Sequence, residues 1–252
     1  MPRTLPAEIE SALFPEPPRR CHRAACAALL DLVFPQHCCA CGTPLLAAEN
    51  QALCRHCASR VHWIGSDRCS RCGDAAGRGS GVVRACPSCR THPPAFVSSS
   101  CTVARYAEAP LRHAILALKF GPKMHLAQPL ARLIAQRIRS TRMLDPELIV
   151  VPAPMVRRAI FRRSYNQAEE IASCIAAELK LRFETRLLLK TRPTPPQARL
   201  TLEQRRINLK GAFTCDSRIA RRYRGAKIIL VDDVITTGST ISECARALMQ
   251  AD

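Results

Sequence analysis

Asp232 and Asp233 stand side by side behind four apolar residues, in the stretch KIILVDDVITTGSTISECA, Lys227 to Ala245. Two adjacent carboxylates are good acceptors for a pair of sugar hydroxyls and poor partners for a phosphate. Thr236, Thr237, Gly238, Ser239 and Thr240 follow. Gly238 permits a tight turn, and the hydroxyls can donate. A helix starting there turns its N-terminal amides and its dipole toward an anion. Together these residues describe a site for a sugar phosphate, with the diol on the aspartates and the phosphate in the loop. Two plainer readings stand beside it. An Asp–Asp pair at a strand end can bind Mg2+, although no P-loop of the GxxxxGK(S/T) type lies upstream. The stretch can also serve as a helix N-cap, which alone does not require two aspartates.

The second chemical signal is cysteine. Of 15 cysteines, nine lie between Cys38 and Cys89. Eight form CxxC pairs: Cys38 with Cys41, Cys54 with Cys57, Cys69 with Cys72, and Cys86 with Cys89. A two-residue spacer lets both thiolates reach one metal, and zinc takes four such ligands tetrahedrally. Grouped in sequence order, the pairs make two zinc ribbons in tandem. An interleaved grouping is also open, and Cys39 can stand in for Cys38. Gly42 and Gly73, after the second cysteine of each leading knuckle, allow a tight turn with amides directed at sulfur. Thiolates saturate both sites, so the two zinc ions are expected to be structural rather than catalytic, and the segment needs them to fold.

Composition sets the frame for these sites. The chain has 252 residues, enough for one sizeable domain and one small one. Hydrophobic residues make up 47% and aromatics only 4%, so the core is aliphatic. A net charge of +18 favours polyanionic or phosphorylated partners, or reflects nothing more than a preference for arginine over lysine. The apolar run AACAALLDLVF is too short to span a bilayer and no signal peptide is evident, so a cytoplasmic protein without membrane insertion is expected. There, paired cysteines signify metal rather than disulfides.

Residues 1–20 read as a disordered tail, and residues 21–92 as a short helix leading into the double ribbon. THPPAF, Thr91 to Phe96, reads as a linker. From residue 98 to 252 a β/α rhythm sets in. SSCTVARY, ELIVVPAP and AKIILVDDV read as strands, the last as a buried central one. APLRHAILALKF, LAQPLARLIAQRIRS, SYNQAEEIASCIAAELK and STISECARALMQ read as helices. Ser164 is placed to cap the third of these. Lys190 to Phe213 reads as a long polar loop with a helical piece at TLEQRRIN. The fold class is α/β, a mostly parallel sheet flanked by helices, with a small N-terminal zinc-ribbon domain.

IILVDDVITTGST is similar to the phosphoribosyl-diphosphate-binding motif of type I phosphoribosyltransferases. Together with the cysteine block, LKF, VPAP, RRSYNQA and RPTPPQARLTLEQRRINLKGAF, it makes the chain resemble the ComF family from about residue 28 to residue 250. The resemblance implies a type I phosphoribosyltransferase-like fold. It implies that Asp232 and Asp233 are catalytic, holding the ribose 2′- and 3′-hydroxyls, and that Thr236 to Thr240 cradle the 5′-phosphate. Val151 to Pro154 falls where the class binds pyrophosphate, with Arg157, Arg158 and Arg163 nearby. Lys190 to Asn208 falls where the class has a lid, with Arg192, Gln197, Arg205, Arg206 and Asn208 as its polar positions. Lys119, in LKFGPK, is placed to reach a phosphate from another loop. Mg2+ would accompany phosphoribosyl diphosphate, and phosphoribose would pass to a nitrogen acceptor with release of pyrophosphate. Thr236 stands where some purine-using members carry Asp, which argues against a purine acceptor. The chain departs from the family in two places. Ser164-Tyr165 replaces Gly-Phe, and the sequence stops at Asp252, one helix after the loop, where the family usually continues into another strand.

Two function classes remain. One is a Mg2+-dependent phosphoribosyltransferase. The other is an accessory protein of competence and DNA uptake, binding single-stranded DNA or the competence helicase machinery, with the phosphoribosyl site regulatory. Zinc ribbons and positive charge suit the second. The few aromatics, which show no clustering along the sequence, weigh against it. De novo purine amidophosphoribosyltransferase is excluded, because it needs an N-terminal cysteine nucleophile and position 2 is proline.

Overall fold

The computed structural model describes residues 5–14, 36–45, 52–77, 79–107, 109–121, 124–141, 144–195 and 201–251, without the side chains of Arg162, Leu202, Glu203, Arg205 and Arg206. The helix expected in 21–34 lies outside them. The first element corrects an expectation. Ala7–Leu13, within the segment read as a disordered tail, is a helix (α1) that buries Ile9, Ala12 and Leu13. Its apolar residues recur at helical spacing, and burial outweighs the Pro-rich flanks.

The ribbon region holds two short helices, Arg55–Ala58 (α2) and Pro87–Thr91 (α3), and one two-stranded parallel sheet, Arg68–Cys69 (β1) with Val82–Val83 (β2). Helices Ala109–Phe120 (α4) and Ala127–Arg139 (α5) follow. Ile149–Pro152 (β3) comes next, then helices Arg157–Arg163 (α6) and Gln167–Leu179 (α7), then Arg182–Phe183 (β4). Leu188–Lys190 (β5) and Phe213–Cys215 (β6) form an antiparallel pair around helix Leu202–Leu209 (α8). After the short helix Ser217–Ala220 (α9) come Ile228–Val231 (β7) and helix Ser239–Met249 (α10).

The main sheet is parallel, in the order β4-β3-β7. All four residues of β3 are buried, as a strand covered on both faces must be. Val150 faces the core built by α4, α5 and α7. Ile149 and Val151 face a second core with Leu187, Leu188, Leu209 and Phe213. β7, expected to be central, is instead an edge strand of this sheet, and its first three residues are half-buried. A mostly aliphatic cavity of about 710 Å³ runs along it from Lys227 to Asp232.

SSCTVARY is not a strand. Its backbone bonds to the ribbons instead: Ser100 N donates to Ser70 O at 2.8 Å, and Ile64 N donates to Val103 O at 2.9 Å. Helix α1, the first cysteine block and the α/β part therefore share a core, in which Leu13, Leu53 and Val61 join Leu118 and Ile138.

Candidate functional site

β3 and β7 are in parallel register, Pro152 opposite Val231, so the chain leaves both strands at the same end of the sheet. Ala153 N donates to Val231 O at 2.8 Å, extending the ladder by one bond. This places Ala153, and the chain leading into α6, at the same end of the sheet as Asp232 and Asp233. Asn166 fixes the junction. Its side chain caps α7 by accepting from Ala168 N, and its Nδ2 donates to Ala153 O at 3.0 Å. The N-cap is therefore Asn166, not Ser164. Ser164 takes a left-handed backbone with φ of 69° and closes α6.

The two carboxylates have different surroundings. Asp233 Oδ2 lies 2.6 Å from Lys119 Nζ, with the Asp233 side chain 6% exposed. Lys119, expected at a phosphate, is thus held by an aspartate. Asp232 accepts from Asp233 N at 2.9 Å. Burial, then the charge of Asp233, pushes the Asp232 carboxyl up to about 8. The like charges of the sequence are relieved in two ways, one by a lysine and one by retaining a proton.

Downstream, Gly238 has φ of 72° and stands immediately before α10. Thr237 Oγ1 accepts from Ser239 N and lies 2.6 Å from Ser239 Oγ. A Cβ at Gly238 would meet Pro94 Cγ at 3.4 Å, and Ala95 N donates to Ser242 Oγ at 2.9 Å. The Thr91–Phe96 segment is therefore docked on the start of α10.

Arg157 and Arg158 are exposed on α6, and Arg163 stacks on Phe120, its guanidinium carbon 4.8 Å from the ring centroid. Arg192, an expected lid residue, stands at the base of its segment, Lys190–Asn208, donating to Asn208 O and Lys210 O at 2.9 Å each. Gln197 and the side chains of Arg205 and Arg206 lie outside the described residues. α8 begins with a capping box, Gln204 N donating to Thr201 Oγ1 and Thr201 N to Gln204 Oε1.

Sequence reasoning missed one charged neighbour. Lys190, at the end of β5, interacts with Asp232, and burial lowers its pKa. Its Nζ donates to Thr194 Oγ1 at 2.9 Å. The readable signal was a lysine ending the apolar run LLLK where the polar loop begins.

The cysteines converge in sequence order, Cys38, Cys41, Cys54 and Cys57 in one group, and Cys69, Cys72, Cys86 and Cys89 in the other. Within each group all four sulfurs lie within 4.8 Å of one another. Cys41 to Cys54 and Cys72 to Cys86 are each 3.7 Å. A tetrahedron with Zn–S bonds of ~2.3 Å has edges of ~3.8 Å, so the donor sets fit zinc. Gly42 and Gly73 have φ of 75° and 76°, and Cys86 N donates to Cys69 Sγ at 3.2 Å. Burial pushes the Cys57 and Cys89 thiols well up, a cost that a divalent cation offsets. Both sites are closed, four thiolates each, and suit a structural ion.

Residues 29–90 match the double zinc ribbon domain family. DNA utilization protein YhgH of Salmonella typhi is 33% identical over 223 residues, covering 87% of this chain and 93% of that protein. This chain belongs to the ComF family. The YhgH protein of Escherichia coli K12 is 32% identical over the same length, and the ComF relative Competence protein F of Haemophilus influenzae is 29% identical over 209 residues, 77% of this chain and 90% of that protein. No solved structure matches the chain. Among the described residues no helix is long and apolar enough to cross a membrane.

Proposed function

We propose that this chain is an accessory protein of DNA uptake and utilization that binds single-stranded DNA in the cytoplasm. Its aspartate pair and hydroxyl loop take phosphoribosyl diphosphate with Mg2+ as a regulatory ligand. The observation that carries the proposal is family membership. Relatives named for DNA utilization and for competence match most of the chain. The net charge of +18 supplies the long-range attraction for a phosphodiester strand. In this reading the competence helicase machinery is the natural partner.

A second reading, transfer of phosphoribose to a nitrogen acceptor with loss of pyrophosphate, is favoured by the arrangement at the end of β7. Asp232 and Asp233 would accept the ribose hydroxyls. The loop before α10 would hold the 5′-phosphate on its amides and on Thr237 and Ser239. Arg157 and Arg158 would face the pyrophosphate from α6. The segment Lys190–Asn208 would close over the site and exclude water. Bound Mg2+ would neutralise charge on the departing pyrophosphate.

Two titrations test these readings. A labelled single strand should bind with an affinity that falls steeply with salt, and a flat response removes the DNA reading. Phosphoribosyl diphosphate with Mg2+, titrated calorimetrically, should give heat with the wild type and none with Asp232→Asn/Asp233→Asn. Equal heats, or none from the wild type, remove the sugar-phosphate site. A screen of nucleobases and amines for pyrophosphate release then separates transfer from sensing.

A further inference from the structure

Phe161 is 93% exposed and Phe120 is 68% exposed. Phe96, at 60%, and Phe183, at 36%, are exposed elsewhere, so in a chain with seven phenylalanines exposure alone does not single out this pair. What does is their link through α6. Phe161 lies on α6, two residues before Arg163, whose guanidinium stacks on the Phe120 ring. Tyr165 binds the two segments together, its hydroxyl bonding to Leu118 O and to Gly121 O. Arg157 and Arg158 are exposed on the same helix. The ion pairs among the described residues engage Arg55, Arg105, Arg132, Arg139 and Arg246, and leave Arg157, Arg158 and Arg163 without a carboxylate partner there. The next residue along from Phe120 is Lys119, whose ammonium touches Asp233. Phe120, with Arg163 stacked on it, is therefore one residue along from the lysine of the aspartate site, and Phe161, Arg157 and Arg158 stand on the same short helix as Arg163.

We propose that Phe120, Phe161, Arg157, Arg158 and Arg163 form a platform for single-stranded DNA, with unpaired bases stacking on the two rings and the strand's phosphates on the arginines. This rests on the DNA reading above and goes beyond it by naming the surface. Aromatic faces beside guanidinium planes suit bases freed from a duplex. A duplex keeps its base faces covered and offers the platform only phosphates. A lipid headgroup or an inorganic anion would use the arginines and leave the rings without a role.

The test is fluorescence anisotropy with labelled oligothymidylate and a matched duplex, across a salt series, on the full chain. The wild type should prefer the single strand. Phe161→Ala and Phe120→Ala should each weaken single-strand binding about 5- to 150-fold and leave the salt slope in place, since stacking carries no counterions. Arg157→Ala/Arg158→Ala should lower the slope of log affinity against log salt by about 1.4. The control is Arg218→Ala/Arg221→Ala/Arg222→Ala, on exposed arginines of the segment that enters β7 at the end opposite the aspartates; it should bind like the wild type. Phe161 is exposed, so its variant should melt like the wild type.

Normal binding by both Phe variants, or a loss confined to the control, overturns the platform while the DNA reading stands. Absence of single-strand binding by the wild type removes the DNA reading itself and the platform with it. If Phe161→Ala instead abolishes self-association at unchanged DNA affinity, the surface is a protein interface and the proposal fails.

Discussion

Lys119 Nζ lies 2.6 Å from Asp233 Oδ2, where the chain leaves β7. The contact is an ion pair whose angles are not those of a hydrogen bond, which leaves Oδ2 electrostatically matched but not saturated. A ligand diol of the kind proposed for Asp233 would compete with Lys119 for the same carboxylate. Removing the lysine alone strands a buried charge. Lys119→Met is expected to destabilise the protein by roughly 1–3 kcal/mol, less than for a fully buried pair because the lysine retains some solvent. Lys119→Met/Asp233→Asn should lose less than the two single changes combined. Urea unfolding of the four proteins checks this, and strict additivity would show that the two groups are not coupled.

Asp232 predicts a pH dependence of the opposite sign to an ordinary surface carboxylate. Its folded value is pushed up to about 8 from an ordinary 3.8, first by burial and then by Asp233. Folding therefore favours the protonated form. The contribution is fully present below pH 3.8 and is lost as pH rises through 8. Asp232→Asn should remove this slope and be more stable than the wild type at high pH, by an amount on the order of a few kcal/mol. Thermal melts between acid and mildly basic pH decide it. A wild-type profile parallel to that of the Asn variant would show that Asp232 does not titrate in this range.

The helices of the α/β part and the grouping of the cysteines were readable because each depends on local spacing. α4, α5, α7 and α10 all carry their apolar residues at helical intervals. What was not readable depended on partners distant in sequence. SSCTVARY has strand composition, but its backbone groups are satisfied by Ser70, His62 and Ile64. IILV looks fully buried because nothing local reports that β7 has a strand on one side only within its sheet. Lys119 and Lys190 come from segments well apart in the sequence, and only through the fold does Lys119 meet Asp233 and the charge of Lys190 act on Asp232. The candidate site was thus legible as a motif, and its charge balance was not.

Ser164 gives a prediction about local strain. Its φ of 69° lies in the left-handed region, where a side chain is disfavoured and glycine is at ease. Glycine, which the resemblance to the ComF pattern leads one to expect here, takes this conformation without a side-chain penalty. Ser164→Gly should stabilise the protein by roughly 0.5–1 kcal/mol, offset in part by the greater freedom of glycine in the unfolded chain. The melting temperature should rise by about 1–4 °C. A fall would mean that the serine hydroxyl contributes more than its backbone costs.

The second ribbon should depend on its metal more than the first. Its core is built from Cys69, Cys86 and Cys89, with Val83 and Ala85 packed against them. The first tetrad instead adjoins Leu13, Leu53 and Val61 in the main core. Elemental analysis should find about two zinc ions per chain. Cys72→Ser should halve the metal content and open residues 69–89 to protease, while the α/β part stays folded. Iron in place of zinc, or unchanged protection without metal, would contradict this.

Arg137 ties the ribbons to the α/β part. It sits in the last turn of α5, 6% exposed, with its guanidinium donating to Ile64 O and, at 2.7 Å, to Gly65 O. The two acceptors differ in their alternatives. Gly65 is exposed, so water can replace the arginine there. Ile64 is buried, and its carbonyl would lose its partner without compensation. Arg137→Met keeps most of the volume and removes both donors. It is expected to cost roughly 1–3 kcal/mol, nearly all of it from the Ile64 side. The loss should appear first as faster hydrogen exchange around residues 62–66, because Ile64 N and Arg105 N bond across this same junction. Arg139→Met, two positions later, removes contacts to Glu178 instead and should leave exchange around residues 62–66 unchanged. Equal effects from the two substitutions would mean that α5 simply prefers arginine in its last turn, and that Arg137 does not hold the two parts together.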